Sequence, residues 1–278
     1  MDFKTILVFV DGTPHAANTV KVAFDLAKRS KGHVIGMHVR PRFQPAAFTD
    51  STFEVDALYR AHEDAVKADE LRASAAFKKI AGRKAAVEWR VIDGFADDEL
   101  AHAARYADLV VIGQADPEAP AVTLPSDLAE QVALHTERPI LIVPHVGAAK
   151  TPGKVVLLAW NGSREASRAA TAAMPLLAEA DKVVVLSVDA KNKKAGDGHN
   201  HDEDVVQWLS RHGVKAEIQH DNSGDSDIAT LILSRAADYD ADLIVMGVYG
   251  HSRIREMMMG GVSRTLLSSM TAPLLIAH

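Results

Sequence analysis

A chain of 278 residues, 47% apolar and 24% charged, is long enough for two ordinary soluble domains, each able to bury its own core. A net charge of −6 argues against a nucleic-acid duplex held by phosphate neutralisation, and no apolar run reaches the length of a membrane span. Zero cysteines exclude disulfides, thiolate metal sites and thiol catalysis.

In chain order, residues 5–10 are a continuous apolar run closed by Asp11 and Gly12. Such runs suit a strand buried on both faces of a parallel sheet. No secretory leader is expected, because Met1-Asp-Phe-Lys leads straight into this run, and the cytoplasm is the expected location. Thr13 offers an N-cap and Pro14 fits a first helical position. A helix is predicted from there to about Ser30, with Ala16, Val20, Ala23 and Ala27 on one face. A strand follows at 34–39, a loop at 41–50, a long helix at 52–80 and a strand at 86–92. A short helix at 97–106 and strands at 109–113 and 140–143 complete the first half. Residues 146–153 read as a linker.

The order then repeats. A strand at 155–160 ends at Asn161-Gly162, and Ser163 is the N-cap of an alanine-rich helix to about Ala180. A strand at 183–188 leads to a polar segment at 191–200 and a helix at 202–211, much shorter than its counterpart. Segments at 216–219, 228–237, 243–247 and 274–277 finish the set. The fold class is α/β, with two tandem five-stranded parallel-sheet domains at 1–146 and 154–278 and helices on both faces. Ligands on such sheets bind at the carboxyl ends of the strands, where the turn after the first strand meets the loop after the fourth.

Those fourth-strand loops differ between the copies. Ala107-Asp-Leu-Val-Val-Ile-Gly113 and Ala241-Asp-Leu-Ile-Val-Met-Gly247 superimpose at an offset of 134, as do the final strands after Pro139 and Pro273. Gly247, Gly250, Gly260 and Gly261 then face Gly113, Asp116, Ser126 and Asp127. In the second copy, glycines precede a helix containing Val262, Leu266 and Leu267, with Ser263 in its first turn. A helix N-terminus presents unpaired N–H groups, and glycines let phosphate oxygens reach them. His251, Ser252, Arg253 and Arg255 add polar and positive groups. The loop therefore reads as a polyphosphate cradle, or equally as a strand-to-helix connection whose glycines serve tight turns. In the first copy Asp116 and Asp127 oppose phosphate, Asp127 competes for the N–H groups as a cap, and Pro117, Pro120 and Pro125 stiffen the loop.

Gly247-x2-Gly250-x9-Gly260, followed by Gly261-Val262-Ser263, resembles the G-x2-G-x9-G-[ST] loop of the universal stress protein family. The resemblance covers nearly the whole chain, including the Pro-Leu-Leu-Ile ending. It implies the family's nucleotide-binding α/β fold and a stress-response binding or regulatory protein with an ATP-type site in the second copy. By resemblance, Gly247, Gly250, Gly260, Gly261, Val262 and Ser263 would meet ribose and phosphates, and Val188 would meet adenine through its main chain. Asn161 stands at the family's acidic position, where a carboxylate attracts a magnesium ion beside ATP, and Gly261 stands where Ser or Thr is usual. In the first copy Asp11 matches the family residue and the loop does not, so no nucleotide is expected there. The family pairs domains along the last strand, which implies an intramolecular pseudo-dimer of the 139–144 and 273–277 strands and leaves surface for a homodimer. Two alternatives are an interaction protein that binds no nucleotide and a slow ATPase; for the second, the sequence names neither a metal ligand nor a water-positioning group.

Other constellations have ordinary explanations. His199-Asn-His201-Asp-Glu-Asp204 has weak metal-ligand spacing and reads better as a solvated loop with an acidic helix start. Met257, Met258 and Met259 fit an interface loop, and Trp160 fits either a stacking platform or the core. Asp93, His220 and Asp221 are expected after the third strands, near the cleft. No serine has a base positioned by sequence, so a hydrolase triad has no support. No protein partner is named by any motif.

Overall fold

The computed structural model describes residues 2–43, 52–82, 86–116, 118, 125–147, 151–188, 201–224, 227–248 and 262–278, with backbone alone at 52–54, 201 and 262–264. The first half runs β1 (Thr5–Phe9), α1 (Ala16–Ser30), β2 (His33–Pro41), α2 (Thr52–Ala81), β3 (Val87–Gly94), α3 (Ala96–Ala104), β4 (Leu109–Gly113), α4 (Leu128–His135) and β5 (Ile140–Val143). The second runs β6 (Val155–Trp160), α5 (Arg164–Leu177), β7 (Lys182–Val188), α6 (His201–Arg211), β8 (Ala216–Asp221), α7 (Ile228–Asp238), β9 (Leu243–Gly247), α8 (Val262–Ser269) and β10 (Leu274–Ala277).

All ten strands join one sheet in the order β3-β2-β1-β4-β5-β10-β9-β6-β7-β8. Every neighbouring pair is parallel except β5 with β10, which is antiparallel. Each half is thus a five-stranded parallel sheet, and the last strands of the halves fuse them within one chain.

Side chains alternate across the sheet because a strand turns each successive Cβ to the opposite face. Ile6, Val8 and Val10 pack into the layer of α1, α2, α5 and α6. Leu7 and Phe9 pack into the layer of α3, α4, α7 and α8. Both layers cross the junction: Leu141 and Leu275 serve the first, and Ile140, Ile142, Leu274 and Ile276 the second. Sheet burial on both faces explains the continuous apolar runs.

Two capping predictions fail in the first half. Thr13 does not cap α1; its hydroxyl and its N–H both turn back to Asp11, and the helix starts at Ala16 behind His15. Asp127 occupies the N-cap of α4, yet its carboxylate takes the Gln131 side-chain amide at 3.2 Å instead of a backbone N–H. In the second half Ser163 does cap α5, accepting from Ala166 N–H at 3.1 Å. Among the described residues no helix is long and apolar enough to cross a membrane.

Candidate functional site

In the second half β6 lies between β9 and β7 and pairs with both through its last turn: Ala159 opposite Met246, Trp160 opposite Ser187. Asn161, Val188 and Gly247 therefore share one edge, at the carboxyl ends of three adjacent strands. Asn161 closes the turn after β6, its Oδ1 accepting from Ser163 N–H at 3.0 Å. Val188 is half-buried against the α7 and α8 layer. Val262 and Ser263 fall in the first turn of α8. Gly250, Gly260 and Gly261 lie outside the described residues, as do His251, Ser252, Arg253, Arg255 and the three adjacent methionines.

Gly247 has a packing role of its own. A Cβ there would stand 2.3 Å from the carbonyl carbon of Glu165 and 2.4 Å from Ala166 N, so the first turn of α5 leaves room for hydrogen only. Trp160 is half-buried and packs against the α5 and α6 layer, with its indole N–H buried and unpartnered.

The equivalent edge of the first half is built differently. Asp11 is only 3% exposed and accepts from Thr13 N–H at 2.8 Å. Asp69, reaching from α2 and 5% exposed, accepts from Gly12 N–H at 3.2 Å and from Arg72 Nη2 at 2.6 Å. Arg72 Nε donates to Gly12 O at 2.9 Å. A Cβ on Gly12 would stand 2.1 Å from Asp69 Oδ1. The helix thus clamps the turn after β1. Burial pushes the Asp11 carboxyl above its ordinary range; hydrogen bonds from Thr13 pull the other way, and the neighbouring Asp69 charge adds to the rise. His38 stands close by, with Nδ1–H donating to Val10 O at 2.8 Å and Nε2 buried without a partner.

Asp69 and Arg72 escaped the sequence reading. The available signal was a carboxylate on the apolar stripe of Val66, Ala73 and Phe77. Aligning Ala73 and Phe77 with Val205 and Leu209 sets Asp69 against His201, the first residue of α6. The stretch of α2 before Asp69 has no helical counterpart among the described residues of the second half.

The loop after β4 also carries negative charge, as expected. Asp116 accepts from Glu118 N–H at 2.9 Å and lies 3.2 Å from His15 Nε2. The Glu118 N–H, with smaller help from His145 and His15, holds its carboxyl below the ordinary range. Gln114, one residue past Gly113, accepts from His145 N–H at 3.1 Å and donates to the Leu267 carbonyl of α8, linking the two halves. Neither Gln114 nor His145 was singled out from sequence.

Asp93, His220 and Asp221 do not follow the third strands; they end them, on the outermost strands of the sheet. Asp93 pairs with Arg40 at 2.7 Å, and His220 Nδ1 lies 3.5 Å from Asp202. The Arg235 guanidinium, and then the Asn222 N–H, hold Asp221 below the ordinary carboxylate range. His199 lies outside the described residues, and among the described residues no His/Asp/Glu group has metal-binding geometry.

The model of the universal stress protein family matches this chain twice, at residues 2–144 and 153–278. A universal stress protein of Archaeoglobus fulgidus DSM 4304 is similar over 98% of this chain and 95% of its own, at 16% identity and a TM-score of 0.67. A functionally unknown protein of Pseudomonas aeruginosa PAO1 is similar over 99% and 92%, at 15% identity and a TM-score of 0.56. No curated protein matches. At these identities the solved structures establish the fold.

Proposed function

We propose that this chain, which belongs to the universal stress protein family through both of its halves, is a binding and regulatory protein with one ATP-type nucleotide site, in the second half. The observation that carries this reading is the difference between equivalent sheet edges. At the edge of β9, β6 and β7, Asn161 and Val188 stay half-buried beside the strand that feeds the glycine loop. At the edge of β4, β1 and β2, Asp11 is buried under Asp69 and Arg72, and the following loop holds ionised Asp116. Ionised Asp116, aligned with Gly250, opposes a polyanion, and α2 covers the turn after β1. The first half therefore does not fit a nucleotide.

In the second half Gly250, Gly260, Gly261, Val262 and Ser263 would hold the phosphates through their N–H groups, and the Val188 main chain would hold adenine. ATP supplies the anionic ligand whose presence the partner-binding surfaces would report in a stress response. Asn161 offers an amide where a carboxylate would attract magnesium. ATP affinity should therefore change little with magnesium, and Asn161→Asp should make it magnesium-dependent. Pairing β5 with β10 uses the last strands internally, so a homodimer would use other surface, the outer strands β3 or β8 or a helical face. The domain bounds we assign are 1–146 and 154–278, and the location is the cytoplasm.

The test is to denature the purified protein, identify any released nucleotide, and titrate ATP with and without magnesium. ATP binding that Gly260→Asp abolishes and Ser126→Asp leaves intact is the expected result. No released nucleotide and no binding at millimolar ATP would sink the reading. The second reading, an interaction protein without nucleotide, is favoured by Gly247, whose glycine is already required by the approach of α5.

A further inference from the structure

We infer that Gln114 of the first half is a positioning residue for α8, the helix whose first turn meets the phosphates under the proposal above, so that the half without a nucleotide site sets the ATP affinity of the other. The effect on ATP rests on that nucleotide reading; the hold on α8 does not.

The repeat shows that this contact is one-sided. At the offset of 134, Gln114 corresponds to Val248 and Leu267 to Ala133. Val248 and Ala133 are both buried in the apolar layer of α3, α4, α7 and α8. Gln114 is only 6% exposed at the matching place, yet its Nε2 donates to Leu267 O. At this pair of places, then, polar reach runs from the first half to the second.

The bond lands where a helix needs one. Leu267 is among the last four residues of α8, whose carbonyls have no partner within the helix. With eight residues, α8 is too short to persist by itself, so its place is set by what packs on it. Leu266 anchors it in the core, and Gln114 holds its carbonyl end. From Leu267 back to Val262 is about 8 Å along the axis, so a shift at one end is felt by the N–H groups at the other.

Gln114 is itself braced. Its backbone N–H donates to Val143 O at 2.7 Å. Its Oε1 accepts from His145 N–H at 3.1 Å and from His145 Nδ1–H at 2.9 Å, which turns the amide so that Nε2 faces α8. His15 stands edge-on to the His145 ring, with centroids 5.7 Å apart, and its Nε2 lies 3.2 Å from Asp116. The second half lacks this set. Helices α1 and α5 correspond at an offset of 150, which sets His15 against Glu165, and Asp116 stands against Gly250. The first-half residues in place of a phosphate loop thus support the side chain that holds the other half's helix.

The test uses the full chain as wild type, Gln114→Met and His145→Ala. Hydrogen exchange without nucleotide is followed by mass spectrometry at 262–270 and at α5, and ATP and adenosine are titrated separately. Gln114→Met should speed exchange in α8 and not in α5. It should weaken ATP about fivefold, the effect of one lost hydrogen bond to a buried carbonyl. Adenosine should be unchanged, since its base would be held at Val188; a merely structural role would weaken both ligands alike. His145 is half-buried, and His145→Ala removes one of the two bonds that orient Gln114. A smaller change of the same sign there keeps the test valid if Gln114→Met misfolds. Unchanged exchange in α8, unchanged ATP affinity, or ATP and adenosine weakened in parallel overturns the inference. A wild type that binds no ATP sinks the nucleotide reading instead, and the exchange of α8 still decides whether Gln114 holds it.

Discussion

Leu141 lies opposite Leu275 in the antiparallel pairing of β5 with β10, and each is the other's counterpart in the repeat. Arg29 and Glu179, counterparts at the helix offset, also meet, with Arg29 Nη2 at 2.6 Å from Glu179 Oε2. A pseudo-two-fold axis therefore passes between both pairs. The junction is an isologous interface enclosed in one chain.

Leu141→Ala and Leu275→Ala should each cost about 3 kcal/mol, as for fully buried leucines whose loss leaves a cavity. Because the two side chains share that cavity, the double variant should lose less than the sum. Urea unfolding of the four proteins measures this, and strict additivity would contradict the shared packing.

The Arg29 and Glu179 pair should contribute little despite its position on the axis. Glu179 is more than half exposed, and exposed pairs are worth about 0–1 kcal/mol. A double-mutant cycle should give a coupling in that range that shrinks in about 1 M salt. Arg29→Ala should cost more than Glu179→Ala, because Arg29 also holds the linker at Pro152 O.

Gly247→Ala should destabilise the second half by about 2 kcal/mol, the usual cost of overpacking. The clash is with the backbone of α5 and not with a movable side chain. An unchanged denaturation midpoint would show that α5 shifts freely.

Asp11→Asn tests the first-half clamp through pH. A carboxyl whose folded pKa is raised binds its proton more tightly in the folded state. Wild-type stability should therefore fall as pH rises from the ordinary aspartate value through the raised one. The variant keeps an acceptor for Thr13 N–H, as Asn161 does for Ser163, without burying a charge beside Asp69. Its melting temperature at pH 7 should exceed the wild type's by a few degrees, with the gain vanishing in acid. Melting curves from pH 3 to pH 8 decide this, and a gain independent of pH would remove Asp11 ionisation as its cause.

Much of this was legible in the chain. The apolar runs located the inner strands, because strands buried on both faces need no polar alternation, whereas the outermost strands β3 and β8 carry mixed sequences. Ser163 was legible as a cap because its partner, Ala166 N–H, is three residues away. Thr13 misled, since its hydroxyl found Asp11 two residues back, a competing local bond of equal reach. Asp127 misled for the same reason, drawn to Gln131. Of the candidate site, Asn161, Val188 and Gly247 were brought to one edge as strand order required.

The sequence by itself determined the repeat, the α/β class, the family and the glycine contrast between the loops, because these rest on local period and spacing. The pairing of the two last strands was implied by the family resemblance; the tertiary structure decided its register, with Leu141 opposite Leu275 on the axis. It alone decided that Asp69 and Arg72 clamp Gly12 from 57 residues away or more, and that Gly147, Thr151 and Pro152 are held by α1. Those contacts join residues far apart in the chain, where no local pattern constrains which groups meet and only packing selects them.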